Sequence, residues 1–209
     1  GYYPSNHEYI FTLPDTSKIF EEEFREKHNL NDVQLLIGFN TGVGAKFLPR
    51  KWPSNYYIEL AKLIDKYLVS IGILYKLLLL GGRYETDRNN YIYQKCLKAG
   101  CKNIIHTGTD NSLEDFFGLI DICDIVITSD TMGMHVAIAL KKKLVVLMGP
   151  ITTASIDVYE SGPMLVSQEH DCLGCFRDVC DLPYQCMDAI SPNAVFEEVK
   201  KHINNHMEV

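Results

Sequence analysis

Five short apolar runs, each followed by a polar turn and a stretch of helical length, decide what this chain can fold into. They fall at residues 35–39, 75–80, 103–106, 124–128 and 144–148. Within them apolar residues are nearly continuous rather than alternating with polar ones, so both faces of each strand must be covered. Strands of that kind interleaved with helices predict a parallel sheet wrapped on both sides, the doubly wound, Rossmann-like α/β class.

The helix signals agree. Pro53 and Ser54 open a segment whose apolar Tyr57, Leu60, Ala61 and Ile64 share one helical face. A polar helix ends at Ala99 and Gly100, Ser112 with Asp115 three residues on reads as a capping box, and residues 131–140 suit a further helix. Ser191 followed by Pro192 starts the last one. Residues 1–32, with Pro4, Pro14 and the charged stretch 21–27, read as a lead or interdomain linker holding a short exposed helix, and 33–209 as the folded domain.

Composition removes several classes of function. The 209 residues carry a net charge of −7 with 46% hydrophobic and 22% charged residues, an ordinary globular balance. No apolar run approaches the roughly 20 residues of a membrane-spanning helix. Without a block of Lys and Arg the chain offers no nucleic-acid surface, and the run 141–143 reads as a solvated turn. The start at Gly1 lacks the pattern of an export signal, so the expected location is the cytoplasm, at most peripheral at the inner face of the membrane.

In a doubly wound sheet, ligands bind beyond the carboxyl ends of the strands. After the first run, residues 40–53 combine glycines with Lys46, Arg50 and Lys51, which suits either a phosphate loop or a plain surface loop. After the fourth, Ser129, Asp130, Thr131, Met132, Gly133 and His135 gather a carboxylate, hydroxyls and an imidazole at a helix start, an arrangement fit for a pyrophosphate.

These motifs follow one another in a recognisable order: Lys51-Trp52-Pro53, Gly81-Gly82, the Ser112-capped helix, Asp130-Thr131 through His135 to Ala139, and Gly149-Pro150. The chain from about residue 33 to 203 thereby resembles glycosyltransferase family 9, the ADP-heptose:lipopolysaccharide heptosyltransferases. The resemblance implies the carboxy-terminal, donor-binding half of a GT-B enzyme, with an inverting transfer to a lipopolysaccharide-type or other glycan acceptor. In the family the acceptor site and the carboxylate base belong to the amino-terminal half, so no base is assigned here and this piece is expected to bind donor without turnover.

Residue by residue, the resemblance implies that Thr41 with Lys46, Arg50 or Lys51 meets the donor phosphates and sugar. It further implies that Glu85 holds the adenosine ribose, and that Asp130, Thr131, Met132, Gly133 and His135 grip pyrophosphate and heptose. The family more often has glycine at Met132 and proline at Gly133, and a side chain at Met132 is expected to crowd the backbone amides. Two other readings stay open: a Rossmann-like nucleotide module without transferase activity, and a protein-modifying glycosyltransferase of the same fold.

Cys172, Cys175, Cys180 and Cys186 form a separate group in a turn-rich loop. Four thiolates at such spacing can close tetrahedrally on one zinc or iron, a structural staple with no open coordination position. Disulfides and free thiols are the alternatives. Cys96, Cys101 and Cys123 read as ordinary buried thiols.

Overall fold

The computed structural model describes residues 11–45 and 47–207. Six strands form one sheet: β1 (Leu35–Asn40), β2 (Tyr75–Leu80), β3 (Ile104–His106), β4 (Ile125–Ser129), β5 (Lys143–Met148) and β6 (Met164–Val166). Every pairing is parallel and the order is β3-β2-β1-β4-β5-β6. The helices are α1 (Asp15–Lys27), α2 (Ser54–Ser70), α3 (Thr86–Lys98), α4 (Leu113–Asp121), α5 (Met132–Ala139) and α6 (Pro192–Met207). Among the described residues no helix is long and apolar enough to cross a membrane.

The apolar runs are continuous because successive side chains enter different cores. Leu35, Ile37 and Phe39 of β1 point to the layer made with α2, α3 and α6, where Trp52, Leu60, Ile92 and Val199 are fully buried. Leu36 of the same strand, with Leu78, Val126 and Val146, points to the layer made with α1, α4 and α5. Period-2 geometry thus appears as a run with no polar gaps.

The segment expected to be a lead contributes to the second core. Phe24 and Leu30 are buried in it, and the Ser17 hydroxyl, also buried, donates to the Glu114 carbonyl at 2.7 Å. The capping box at α4 forms as expected: Ser112 Oγ accepts from Asp115 N and the Asp115 carboxylate from Ser112 N, both at 3.0 Å.

Chain reversal in the strand order falls between β1 and β4, so their carboxyl ends, Asn40 and Ser129, flank a crevice. Trp52 fixes the loop that borders it. Its indole is fully buried and Nε1 donates to the Ile190 carbonyl at 2.8 Å, tying the chain after β1 to the turn before α6.

Candidate functional site

A cleft of about 620 Å³ opens at this crevice. One wall is the loop after β1, with Gly42, Val43, Phe47 and Arg50; another is the turn after β2, with Gly81, Gly82 and Glu85; a third is the start of α4; the floor and far wall are Asn40 and residues 130–133 with His135. Of the residues singled out in the sequence, Arg50, Glu85, Asp130, Thr131, Met132, Gly133 and His135 therefore come together.

Two of the remaining three, Thr41 and Lys51, do not join them. Thr41 is 1% exposed, with its hydroxyl bonded to Asn89 Oδ1 at 2.5 Å and to the Leu80 carbonyl at 3.3 Å, so its side chain is used in linking β1 to β2. Lys51 lies outside the cleft lining, so among the described residues Arg50 is the cation of this loop within it. Lys46 lies outside the described residues.

Arg50 and Asp130 form the charged centre. The guanidinium Nη1 is 2.9 Å from the Asp130 carboxylate and donates to its main-chain carbonyl at 3.1 Å. Stacking over the Phe47 ring at 4.1 Å keeps the guanidinium plane in place, and Ser129 Oγ holds the Arg50 carbonyl at 2.9 Å. Arg50 Nε is buried with no acceptor. The pairing offsets the negative charge of Asp130, which makes a carboxylate compatible with a neighbouring anion. His135 Nε2, half exposed, stands 4.0 Å from the other Asp130 oxygen.

Glu85 is the second anchor. It is 3% exposed; Oε2 accepts the Gly82 N–H at 3.1 Å, and Oε1 is buried without a donor. Glycines make room for it: a Cβ on Gly42 would come within 2.9 Å of Oε2, and one on Gly81 within 3.0 Å of the Glu85 Cβ. The site thus holds a buried acceptor and a buried donor, each lacking a partner among the described residues.

At the far wall α5 begins without a side-chain cap, although Thr131 occupies the cap position. The N–H groups of Thr131, Met132 and Gly133 find no acceptor among the described residues, so the positive end of the helix faces the cleft. Met132 is 53% exposed on the cleft wall. Asn40, absent from the sequence-level set, sits beneath this turn at 4% exposure, and its carbonyl accepts the Tyr57 phenol at 3.3 Å. Burial, opposed by Arg88, pushes the Tyr57 hydroxyl up to about 12, so it remains a neutral donor. Phe116 was visible in the sequence only as an apolar helix residue, yet it lines the cleft beside Leu113.

The cysteine loop lies apart. Cys172 and Cys175 are exposed, Cys180 is half-buried, Cys186 is buried, and all four are free thiols. Burial pushes the Cys186 thiol up to about 11, with the neighbouring Cys180, Cys175 and Cys172 adding to the shift. Among the described residues no three His, Cys, Asp or Glu side chains converge as a metal-holding group, so the four thiols as placed do not form a closed tetrahedral site.

Comparison with known proteins bears on this cleft. Residues 12–185 match the model of glycosyltransferase family 9 (heptosyltransferase). The chain is 26% identical over 186 residues to lipooligosaccharide heptosyltransferase 2 of Campylobacter jejuni, covering 87% of this chain and 56% of that protein. It is 36% identical over 126 residues to lipopolysaccharide heptosyltransferase 2 of Salmonella typhimurium, covering 58% of this chain and 33% of that one. The chain thus spans about half the length, or less, of these relatives. In structure it is similar to Escherichia coli ADP-heptose lps heptosyltransferase II, with a TM-score of 0.70 at 21% identity over 95% of this chain and 54% of that one.

Proposed function

Since the chain belongs to glycosyltransferase family 9, we propose that it is the nucleotide-sugar domain of an enzyme transferring a sugar, from ADP-heptose, to a lipopolysaccharide-type or other cell-surface glycan. The observation that carries this reading is that Glu85 and Arg50, each with a polar atom unpartnered among the described residues, line the same cleft as the uncapped start of α5. The Glu85 carboxylate can accept from a ribose diol, and the Arg50 guanidinium can donate to a diphosphate oxygen.

In this arrangement the diphosphate lies against the start of α5, where unbonded N–H groups and Arg50 meet its charge. Departure of the sugar leaves a nucleoside diphosphate, and the same groups stabilise the charge that develops on it. Asp130 and His135 stand where sugar hydroxyls would reach them, Asp130 as acceptor and His135 as either partner. The acceptor and the base that deprotonates it come from a second domain, with catalysis in the cytoplasm or at its membrane face.

Calorimetric titration with ADP against ATP and NAD tests the nucleotide. His135→Ala and Asp130→Ala should weaken ADP-heptose binding more than ADP binding; equal losses would remove the sugar-facing role. We also propose that the cysteine loop draws its four thiols together on one zinc or iron as a structural staple. Their spacing supports it. Elemental analysis of protein purified without added metal decides the matter, a trace content removing the site.

A further inference from the structure

Asn40 closes β1 directly under the first turn of α5, and both N–H bonds of its carboxamide are committed there. Nδ2 donates to Thr128 Oγ1 at 2.9 Å and to Thr131 Oγ1 at 3.0 Å. The amide nitrogen can only donate, and the Thr128 hydroxyl in turn meets the Ser129 carbonyl at 2.9 Å and Thr131 Oγ1 at 3.2 Å. The same nitrogen occupies the space beside Gly133: a Cβ there would lie 2.4 Å from Nδ2 and 3.3 Å from Phe116 Cζ.

Nothing within α5 does this work. The Thr131 side chain makes no cap bond to the helix, and the Asp130 carboxylate is held by Arg50. The helix start is therefore fixed from the neighbouring strand, and its own N–H groups stay available to the cleft.

We infer that Asn40 is a positioning residue: it sets the α5 amides at the place where an anionic diphosphate binds, and it is the reason that residue 133 is glycine. The inference rests on the nucleotide reading of the cleft. Its physical basis is that an oxyanion site loses affinity steeply when its donors shift, so the groups that fix them matter as much as the donors.

Asn40→Asp keeps the shape but turns the donor into an acceptor. Ionised, it can only accept, so a threonine hydroxyl must turn its hydrogen towards it and the Thr128 bond to the Ser129 carbonyl is given up; protonated, it can donate again. Calorimetry with ADP should show Asn40→Asp about tenfold or more weaker than wild type at pH 8 and recovering towards wild type near pH 5. Asn40→Ala should be weaker at both pH values, and Asn40→Ser, which keeps one donor, intermediate. Arg50, Asp130, His135 and Glu85 are the charged and titratable groups lining the cleft around this point. Each variant is therefore read as a ratio to wild type at the same pH, which cancels their titration and that of ADP.

Thermal unfolding without ligand supplies an independent arm. Gly133→Ala should lower Tm strongly in the wild-type background and much less in Asn40→Ala, where the space is free. Equal Tm losses in both backgrounds, or an Asn40→Asp to wild-type ratio that is flat with pH, would overturn the inference. If wild type binds no ADP, the nucleotide reading fails, and the positioning of α5 stands or falls on the Gly133 coupling alone.

Discussion

Replacing Glu85 by glutamine should move stability and ligand binding in opposite directions. The carboxylate is buried, one oxygen takes the Gly82 N–H, and the other takes nothing. A buried polar atom without a partner costs roughly 1–3 kcal/mol, and a charged one more. Glutamine has the same shape, fits among Gly42 and Gly81, and its amide oxygen retains the Gly82 bond while the second atom becomes an uncharged amide nitrogen. Of the charged group's penalty, about 1–2 kcal/mol should be recovered. For a chain of this size that raises Tm by about 2–8 °C, readable by calorimetry or circular dichroism. Binding should go the other way: the amide nitrogen cannot accept from a ribose hydroxyl, so ADP should bind about 10- to 100-fold more weakly. Adenine, lacking the ribose, should be unaffected. A lower Tm for Glu85→Gln, or an equal loss for adenine and ADP, would refute the reasoning.

Other consequences are as specific. Glu21 on α1 has its carboxyl pushed up from 4.5 to about 7, first by burial and then by the Asp121 charge, with Lys142 and Arg25 opposing. Its contribution to stability is therefore complete below pH 4.5 and is lost as pH rises through 7. Because the group is partly solvated, Glu21→Gln should add only about 1–2 kcal/mol at pH 8 and nothing at pH 4, as measured by urea unfolding at both values. Trp52→Phe leaves the Ile190 carbonyl without its donor; it should cost about 1–3 kcal/mol in the same assay and weaken ADP binding through the loop that carries Arg50.

Long buried strands were readable to the residue where their ends coincide with turn signals. Tyr75 to Leu80 is such a case, bounded by Gly81, and the Ser112 box and Pro192 placed two helix starts equally well. The strand β6, Met164–Val166, went unread because three half-buried residues at a sheet edge carry no periodicity. The α1 segment looked like an exposed lead because its acidic run hides Phe20 and Phe24, four residues apart on one face, and these pack onto the domain.

Within the site, motif order led to Arg50, Glu85, Asp130, Gly133 and His135, since charged and glycine residues after strand ends carry a local signal. Thr41 was misdirected by that signal, as the hydroxyl of a strand-end threonine can equally serve a neighbouring strand, here through Asn89 and Leu80. Asn40 gave none, because its importance lies in partners 88 and 91 residues away. Spacing alone singled out the cysteines, but ligand convergence is a three-dimensional property, and the loop as placed does not show it.

The most direct test of the central claim is isothermal titration of the chain with ADP, with UDP in parallel and with Arg50→Gln and Glu85→Gln as variants. One ADP site, preference for ADP over UDP, and loss of affinity in both variants are expected. Absence of ADP binding, equal affinity for UDP, or binding untouched by either substitution would contradict that claim.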